Sequence, residues 1–319
     1  MGTADAGYGY VTALALDPVE KKPLYHWRPG SSILSVGFAG CNLRCPFCQN
    51  WHISQTADAP GRRVSPRELV DRASSCGQIA YTYSEPLIHF EYLLDCMKAA
   101  RSAGIANVLV SNGCVNEGPA SEILALADAA NIDLKSFSRE TYSKILGGDL
   151  ETVKNFIRAA VSSGVHLEIT TLVVPGLNDG EAELDAAADF IAALGGFPGA
   201  QAGGFVPWHL SAYHPDWKWD APPTKPASLV RIARRAADRH PELRNFIYTG
   251  NSPAPEAPEA PVEFWDTVCP ACGSVLVRRG GRNPGGEARS PLSGLLVPAA
   301  RDGPRYLCAA CGAPAPIRG

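Results

Sequence analysis

The chain has 319 residues, 45% of them hydrophobic, which is enough for one large domain and one small one. Lysine and arginine number 29 against 32 aspartates and glutamates, and the formal net charge of −3 gives no electrostatic reason to expect nucleic acid or an anionic membrane as the main partner. No apolar run reaches the length of a membrane span and residues 1–9 lack a signal-peptide pattern, so we predict a cytoplasmic protein. Ten cysteines in such a protein indicate metal or redox chemistry rather than disulfides.

Short β-rich runs alternate with helical patterns from about Ile33 onward. Strands are predicted over residues 32–38, 78–84, 107–112, 131–136, 165–174, 205–213 and 245–250. Helices are predicted over residues 65–77, 89–104, 151–164 and 228–240. Ser65 and Pro66 begin the first of these helices, whereas Gly104 and Gly164 end the next two. The alternation predicts an α/β fold with a parallel sheet, either a full or partial (β/α) barrel or a doubly wound sheet; without a G-x-G-x-x-G segment after a strand, we favour the barrel.

A change of composition divides the C-terminal part from the rest. Residues 251–263, which include SPAPEAPEAP, are rich in proline, alanine and glutamate and predict a stiff, solvated linker. We therefore expect a barrel domain over residues 1–250 and a small second domain over residues 264–319. The small domain has too little apolar sequence to fold without a stabilising cross-link such as a bound metal or a disulfide.

Three cysteines, Cys41, Cys45 and Cys48, follow the first predicted strand in the segment GCNLRCPFCQNW. The carboxyl ends of barrel strands are where catalytic groups collect. Three thiolates on a [4Fe–4S] cluster would leave one iron free to bind a small molecule, which suits a reaction centre better than an electron carrier. The alternatives are a structural zinc completed by His52, or three unrelated core cysteines.

The pattern C-x3-C-x-φ-C, in which Phe47 is the aromatic residue before the last cysteine, resembles the signature of radical S-adenosylmethionine (radical SAM) enzymes. More narrowly, GCNLRCPFCQNWHISQ and the upstream LALDPVEKKPLYHWRPGS are similar to the radical SAM member of the AmmeMemoRadiSam system, a relative of pyruvate formate-lyase activating enzymes. The resemblance extends from about Ala13 to the end of the chain. It implies a partial (β/α)6-type TIM barrel with Cys41, Cys45 and Cys48 as catalytic cluster ligands and Phe47 at the cofactor. Many members also have an N-terminal cysteine-rich segment, which is not found in this sequence.

The resemblance also implies the chemistry. The open iron would chelate S-adenosylmethionine, and one electron from a flavodoxin- or ferredoxin-type reductant would cleave it to methionine and a 5′-deoxyadenosyl radical. That radical would abstract hydrogen from a small molecule or a partner protein, with Memo- and AMMECR-type proteins as expected neighbours. A glycyl-radical-enzyme activase is the alternative enzyme. A non-catalytic iron–sulfur or zinc adaptor is the alternative from another class.

Polar residues at the ends of two predicted strands are candidate cofactor ligands by the same resemblance. Glu85, in YTYSEP, lies where the family has Gly-Gly-Glu-Pro and would accept a hydrogen bond from the S-adenosylmethionine ammonium. A helix N-terminal carboxylate is the alternative for Glu85. Ser111 and Asn112, in VSNG, could bind the methionyl or ribose group, although Asn-Gly is also a strong turn signal. Tyr83 and Ser84 replace the two glycines, which suggests that the floor of the cofactor site has a different shape here.

Two further strands supply the remaining candidates. Asp133 and Lys135 lie on one side of a strand and match residues that contact the methionyl part of the cofactor in the activating enzymes, but a structural ion pair fits them too. His209, in PWHLSAY, matches the family's Pro-Tyr-His position near the adenosyl group.

A second cysteine set lies in the C-terminal segment, where Cys269-x2-Cys272 and Cys308-x2-Cys311 form two pairs, each followed by glycine. Four thiolates in two pairs are typical of a closed tetrahedral zinc ribbon, and we predict zinc here. The long intervening loop leaves an auxiliary iron–sulfur or rubredoxin-like iron site and a redox disulfide as alternatives.

Overall fold

The structure is a computed structural model that describes residues 7–56, 58–195, 205–252, 263–279, 295–296 and 305–319. By its internal contacts the chain divides into two units. The first comprises Met1–Asp17, Ser32–Val165 and Pro215–Asp220. The second comprises Pro18–Ser31, His166–His214 and Ala221–Gly319.

The first unit is built on a largely parallel sheet. Its strands are β1 (Tyr10–Pro18), β2 (Ser32–Phe38), β3 (Arg62–Arg63), β4 (Gln78–Thr82), β5 (Ala106–Ser111) and β6 (Ala129–Asp133), in the order β3-β1-β2-β4-β5-β6. Strands β2, β4, β5 and β6 pair in parallel, and β3 pairs antiparallel with β1. Because apolar β-branched side chains fill the sheet on both faces, Val36, Ile79, Val108 and Ile132 are fully buried.

Helices connect these strands, and the capping residues that the sequence predicts for three of them are present. The α-helices of this unit are α1 (Trp51–Ser54), α2 (Pro66–Ala73), α3 (Phe90–Ser102), α4 (Glu117–Leu124) and α5 (Leu150–Ser162). A 3₁₀ helix covers Pro86–His89 and a π-helix covers Thr141–Leu146. The Ser65 hydroxyl accepts from the N–H of Glu68, which confirms the predicted cap of α2. Gly104 and Gly164 adopt left-handed φ angles of 71° and 75° after α3 and α5, as their position in the sequence predicts.

Strands and helices also alternate in the second unit. Strands β7 (His166–Val173), β8 (Trp208–Ala212) and β9 (Ile247–Gly250) are parallel neighbours. The helices are α6 (Glu181–Leu194) and α7 (Pro226–Arg239), with short 3₁₀ helices at Val19–Lys21 and Pro241–Phe246. The predicted strands and helices of this half are confirmed to within a few residues at their ends.

The C-terminal cysteines lie on small antiparallel sheets within the second unit. One sheet pairs β10 (Thr267–Val268) with β11 (Val275–Val277); the other contains β12 (Leu295–Leu296), β13 (Arg305–Cys308) and β14 (Pro314–Arg318). A hydrophobic cluster in this segment contains the buried residues Leu276, Val277, Ala315 and Ile317 with two of the cysteines. Most of the predicted linker, residues 253–262, lies outside the described residues, so the boundary between a barrel and a tail domain stays a prediction.

The α/β class with its parallel sheet and a small four-cysteine segment is therefore confirmed. In the described parts of the chain, the longest helices have 14 residues and none is both long and apolar enough to cross a membrane.

Candidate active site

The three-cysteine loop follows β2 and is fixed by main-chain hydrogen bonds at both ends. Gly40, at φ 90°, begins the loop and donates its N–H to the carbonyl of Ile53 at 2.8 Å. The N–H of Arg44 donates to the Leu146 carbonyl at 2.8 Å. Helix α1 ends the loop, since the N–H of Trp51 donates to the Cys48 carbonyl at 3.3 Å. A loop anchored in this way presents its thiols in one fixed arrangement.

Hydrogen-bond donors approach two of the sulfurs. The N–H of Leu43 donates to Cys41 Sγ at 3.3 Å, and the side-chain amide of Asn112 donates to the same sulfur at 3.6 Å. Cys48 Sγ lies 3.1 Å from Ser54 Oγ. Burial raises the pKa of the Cys41 thiol to about 12 and that of Cys45 to about 11. Metal binding here would displace protons, and the donors would then stabilise the thiolates.

The spacing of the three sulfurs argues against a single metal ion. A tetrahedral zinc site with thiolates at 2.3 Å brings its sulfurs to about 3.8 Å of one another. Among the described residues, only the C-terminal cysteines bring three or more such ligand atoms within 4.8 Å. The loop cysteines and His52 do not form such a compact set in the described residues. A cluster that places each thiolate on a different iron does not impose this close approach.

Glu85 lies at the end of β4 and is 1% exposed. Its carboxylate accepts from the N–H of Leu87 at 3.0 Å, from the Ser111 hydroxyl at 2.8 Å and from the N–H of Asn112 at 2.8 Å. Burial raises the pKa of Glu85 to about 7, against the opposite effect of these three donors. Glu85 is thus the N-cap of the 3₁₀ helix Pro86–His89, which is the structural alternative considered for it. The carboxylate also ties the end of β4 to the end of β5.

Asn112 links this carboxylate to the cysteine loop. Its Oδ1 accepts from the N–H of Cys114, and its Nδ2 donates to Asn42 Oδ1, each at 2.8 Å. Asn42 in turn donates to the Cys114 carbonyl at 2.7 Å. The predicted residues Cys41, Glu85, Ser111 and Asn112 therefore share one connected network. Sequence reasoning missed Asn42, although its place directly after the first cysteine could have indicated it.

Asp133 and Lys135 form an ion pair of 2.8 Å at the end of β6. Their side chains are 30% and 21% exposed, so both remain accessible. Burial alone would lower the pKa of Lys135, but Asp133 and the nearby Cys45 raise it, and Lys135 stays protonated. The ion pair considered as an alternative to cofactor binding is therefore present, and Lys135 lies near enough to Cys45 for their charges to interact.

Tyr83, which the resemblance aligns with a family glycine, has a backbone conformation that glycine adopts easily. Its φ is +71°, in the left-handed region that costs a non-glycine residue about 1–2 kcal/mol. The Tyr83 hydroxyl donates to Asp17 on β1, which also accepts from Ser35 at 2.8 Å. The Tyr83 carbonyl accepts from Asn50 at 2.7 Å. The Tyr83 side chain and carbonyl thus connect β1 and the cysteine loop to the end of β4.

Two tryptophans stack beside the cysteine loop. The rings of Trp51 and Trp217 lie 6.4 Å apart and 5° from parallel, and Lys218 Nζ lies 4.2 Å from the Trp217 ring. The N–H of Lys218 donates to the Pro46 carbonyl at 3.0 Å. This stack fixes residues 215–220 against the loop. Phe47, the aromatic residue of the motif, is buried at 2% exposure.

His209 lies on β8 in the second unit, whereas the other predicted cofactor residues lie in the first. Its Nε2 donates to the buried carboxylate of Glu168 at 2.6 Å. Glu168 also accepts from His166 Nε2 at 2.9 Å. Burial alone would raise the pKa of Glu168, but the hydrogen bonds from His166 and His209 hold it well below its usual range. Sequence reasoning missed Glu168 and His166, whose alternate positions in HLEI place them on one face of β7.

The four C-terminal cysteines converge as predicted. All four sulfurs lie within 4.8 Å of one another. Cys269 Sγ is 3.8 Å from Cys311 Sγ, and Cys272 Sγ is 3.7 Å from Cys308 Sγ, close to the spacing that a tetrahedral ion imposes. The glycines after each pair are left-handed and donate to the carbonyls of Cys269 and Cys308, each at 2.8 Å. The arrangement fits one metal ion with four thiolates.

Comparison with known proteins identifies the family. Residues 35–188 match the Radical SAM superfamily. The "Uncharacterized protein MJ0808" of Methanocaldococcus jannaschii is 37% identical over 278 residues, which cover 86% of this chain and 78% of that protein. The pyruvate formate-lyase-activating enzyme of Clostridium pasteurianum is 28% identical over 167 residues, 49% of this chain and 68% of that enzyme.

Solved structures support the same fold. Streptococcus suis SuiB bound to S-adenosylmethionine has a TM-score of 0.52 at 12% identity, over 69% of this chain and 49% of that one. The chain thus spans about half the length of SuiB, and at this identity the likeness concerns the fold alone. Together with the extended match to the M. jannaschii protein and the cysteine loop, these findings show that the chain belongs to the radical SAM superfamily and is an enzyme of that class.

Proposed function

We propose that Cys41, Cys45 and Cys48 bind a [4Fe–4S] cluster whose fourth iron takes S-adenosylmethionine. The observation that carries this proposal is the anchored loop that presents three free thiols in the C-x3-C-x-φ-C pattern. When bound, the cluster and S-adenosylmethionine supply reductive cleavage to a 5′-deoxyadenosyl radical. The protein residues hold the thiolates, orient the cofactor and exclude water.

Glu85 and its neighbours would orient the methionyl part of S-adenosylmethionine. A carboxylate offers about four acceptor directions, and three of those of Glu85 are taken by protein donors. The remaining direction suits one charge-assisted bond from the cofactor ammonium. Ser111 and Asn112 lie in the same network, so their role is to fix Glu85 and Cys41 relative to each other.

Asp133, Lys135, Phe47 and His209 complete the proposed cofactor contacts. The exposed part of the Lys135 ammonium suits the cofactor carboxylate, and Asp133 holds Lys135 in place. Phe47 packs in the cluster loop, where it excludes water. His209 is proposed at the adenosyl group, with its Nε2 committed to Glu168 and its Nδ1 as the remaining polar ring atom.

The radical would act on a small molecule or on a partner protein, after reduction by a flavodoxin- or ferredoxin-type protein. Similarity to pyruvate formate-lyase activating enzymes supports a second candidate, activation of a glycyl-radical enzyme. Membership of the AmmeMemoRadiSam group, with Memo- and AMMECR-type partners, is also part of the proposal. Incubation of the reduced protein with S-adenosylmethionine and each partner would test it: 5′-deoxyadenosine is expected, and a glycyl-radical EPR signal in a partner would identify an activase.

Zinc is proposed at Cys269, Cys272, Cys308 and Cys311. Four thiolates complete the coordination of zinc, so the site would stabilise the small C-terminal sheets rather than bind substrate. The sulfur–sulfur distances of 3.7 and 3.8 Å support zinc at this site. Metal analysis of the purified protein tests it, with about one zinc per chain as the expected result.

A further inference from the structure

A buried arginine from the C-terminal cysteine segment contacts the chain next to Glu168. Arg279 follows β11, between the two cysteine pairs, and is 1% exposed. Its guanidinium donates to the Tyr25 carbonyl at 2.6 Å and to the Thr267 hydroxyl, and lies 4.1 Å from the centre of the Tyr25 ring. The backbone N–H of Arg279 donates to the Asp266 carboxylate at 2.7 Å. A buried cation is costly, so contacts of this number indicate a definite role.

Glu168 is the matching buried anion. Besides the two histidines, it accepts from the N–H of Tyr25 at 2.9 Å and from the N–H of His26 at 2.8 Å. All four donors to this carboxylate are therefore protein groups. An ionised carboxylate can only accept, which requires His166 and His209 to donate through Nε2–H. Glu168 thereby sets the tautomer and the orientation of the His209 ring.

One peptide group joins the cation to the anion. The Tyr25 carbonyl accepts from Arg279, and the N–H of the same peptide, that of His26, donates to Glu168. The positive charge thus lies at the oxygen end of the peptide dipole and the negative charge at its N–H end. Each hydrogen bond polarises the peptide in the direction that strengthens the other.

The rings around His209 belong to the same assembly. The Tyr25 ring meets His209 edge-on at 4.7 Å, and Tyr248 stacks against His209 at 5.4 Å. Tyr25 and Tyr248 also contact the Arg279 guanidinium. A displacement of Arg279 would therefore loosen both the carboxylate that hydrogen-bonds His209 and the rings that pack on it.

We infer that Arg279 is a positioning residue for His209: through the Tyr25–His26 peptide it holds Glu168 in place, so that the C-terminal cysteine segment fixes the orientation of the His209 ring. Without the guanidinium, the Tyr25 carbonyl loses its donor, and the peptide that donates to Glu168 is free to shift together with the hydrogen bond between Glu168 and His209. The link to S-adenosylmethionine rests on the proposed function, whereas the link to the His209 ring does not.

The test uses the full-length reconstituted protein and the variants Arg279→Gln, Arg279→Lys and Glu168→Gln, with Arg278→Gln as the matched control from the same segment. Nitrogen-15 NMR of labelled histidine reports the tautomer of His209. The signal of His209 is assigned as the one that is lost in a His209→Gln variant. Titration with S-adenosylmethionine reports affinity, and iron and zinc contents report whether both metal sites remain.

Arg279→Gln and Glu168→Gln should each change the His209 ring signals and weaken S-adenosylmethionine about tenfold, with iron content unchanged. Arg279→Lys should recover part of the affinity because it keeps the charge, and Arg278→Gln should resemble the wild type. Unchanged His209 ring signals in Arg279→Gln would overturn the inference. Arg279 would then only stabilise the packing of the C-terminal segment. If Arg279→Gln does not fold, Arg279→Lys decides by the same two readouts. If the wild type itself does not bind S-adenosylmethionine, the proposed function fails, while the ring signals still decide the inference.

Discussion

The side-chain amide of Asn112 donates to the sulfur of Cys41, at 3.6 Å, and the N–H of Asn112 donates to the carboxylate of Glu85. One residue at the end of β5 therefore contacts both the cysteine loop and the buried acid at the end of β4. These contacts give Asn112 a definite role in the proposed cluster site.

Asn112→Ala should lower the reduction potential of the cluster. Hydrogen bonds to a sulfur stabilise the reduced, more negative cluster, so the loss of the amide donor favours the oxidised form. The measurement is an EPR-monitored redox titration of the reconstituted protein. Asn116→Ala removes an exposed asparagine that makes no side-chain cap, and its potential should equal that of the wild type. An unchanged potential in Asn112→Ala would show that the amide does not influence the cluster.

Glu85→Gln should reduce both stability and cofactor affinity. The glutamine side chain has one acceptor oxygen in place of two, so at least one of the three buried donors loses its partner. We expect a loss of about 1–3 kcal/mol in the free energy of unfolding, measured by urea denaturation. Calorimetric titration should show weaker S-adenosylmethionine binding as well. A destabilised variant with unchanged affinity would restrict Glu85 to its capping role.

His26 should make the protein sensitive to acid. Burial lowers the pKa of His26 to about 3, whereas the unfolded chain binds this proton near pH 6.5. The contribution of neutral His26 to the free energy of unfolding is therefore fully present above pH 6.5 and is lost as the pH falls toward 3. Between pH 8 and pH 5 this residue accounts for a loss of about 2 kcal/mol.

The pH dependence of urea unfolding checks this prediction with two variants. His26→Gln should be less stable than the wild type at pH 8, because it loses the 2.6 Å contact with Tyr248, but its stability should fall less steeply toward pH 5. His52→Gln, at an exposed histidine, should keep the wild-type slope. If the stability of His26→Gln fell as steeply between pH 8 and pH 5 as that of the wild type, His26 would not be the source of the acid sensitivity.

Cys272→Ser should release zinc and loosen the C-terminal sheets while the cluster still forms. The proposed zinc ion would replace packing that this segment lacks, since its core contains few apolar side chains. Hydrogen exchange over residues 305–319 should become fast, and iron content should stay at the wild-type level. Loss of iron together with zinc would show that the two metal sites assemble as one.

Much of the fold could be predicted because local patterns determine it. Strand β2 and the cap at Ser65 follow from short-range signals, and parallel strands place their carboxyl ends on one side. Strand β1 was missed, since its half-buried, mixed pattern resembles a loop. The cysteine motif could indicate the candidate site because its spacing is local. The contact of Arg279 with Tyr25 joins residues 254 positions apart, and no local pattern reports such a pair.

The central claim is tested most directly by EPR of the anaerobically reconstituted and reduced protein, recorded with and without S-adenosylmethionine. If Cys41, Cys45 and Cys48 hold a cluster with an open iron, the protein should bind about four irons through them and its reduced spectrum should change when S-adenosylmethionine is added. The triple variant Cys41→Ala, Cys45→Ala, Cys48→Ala should bind no iron there and keep its zinc. A wild-type spectrum that is indifferent to S-adenosylmethionine would contradict the account.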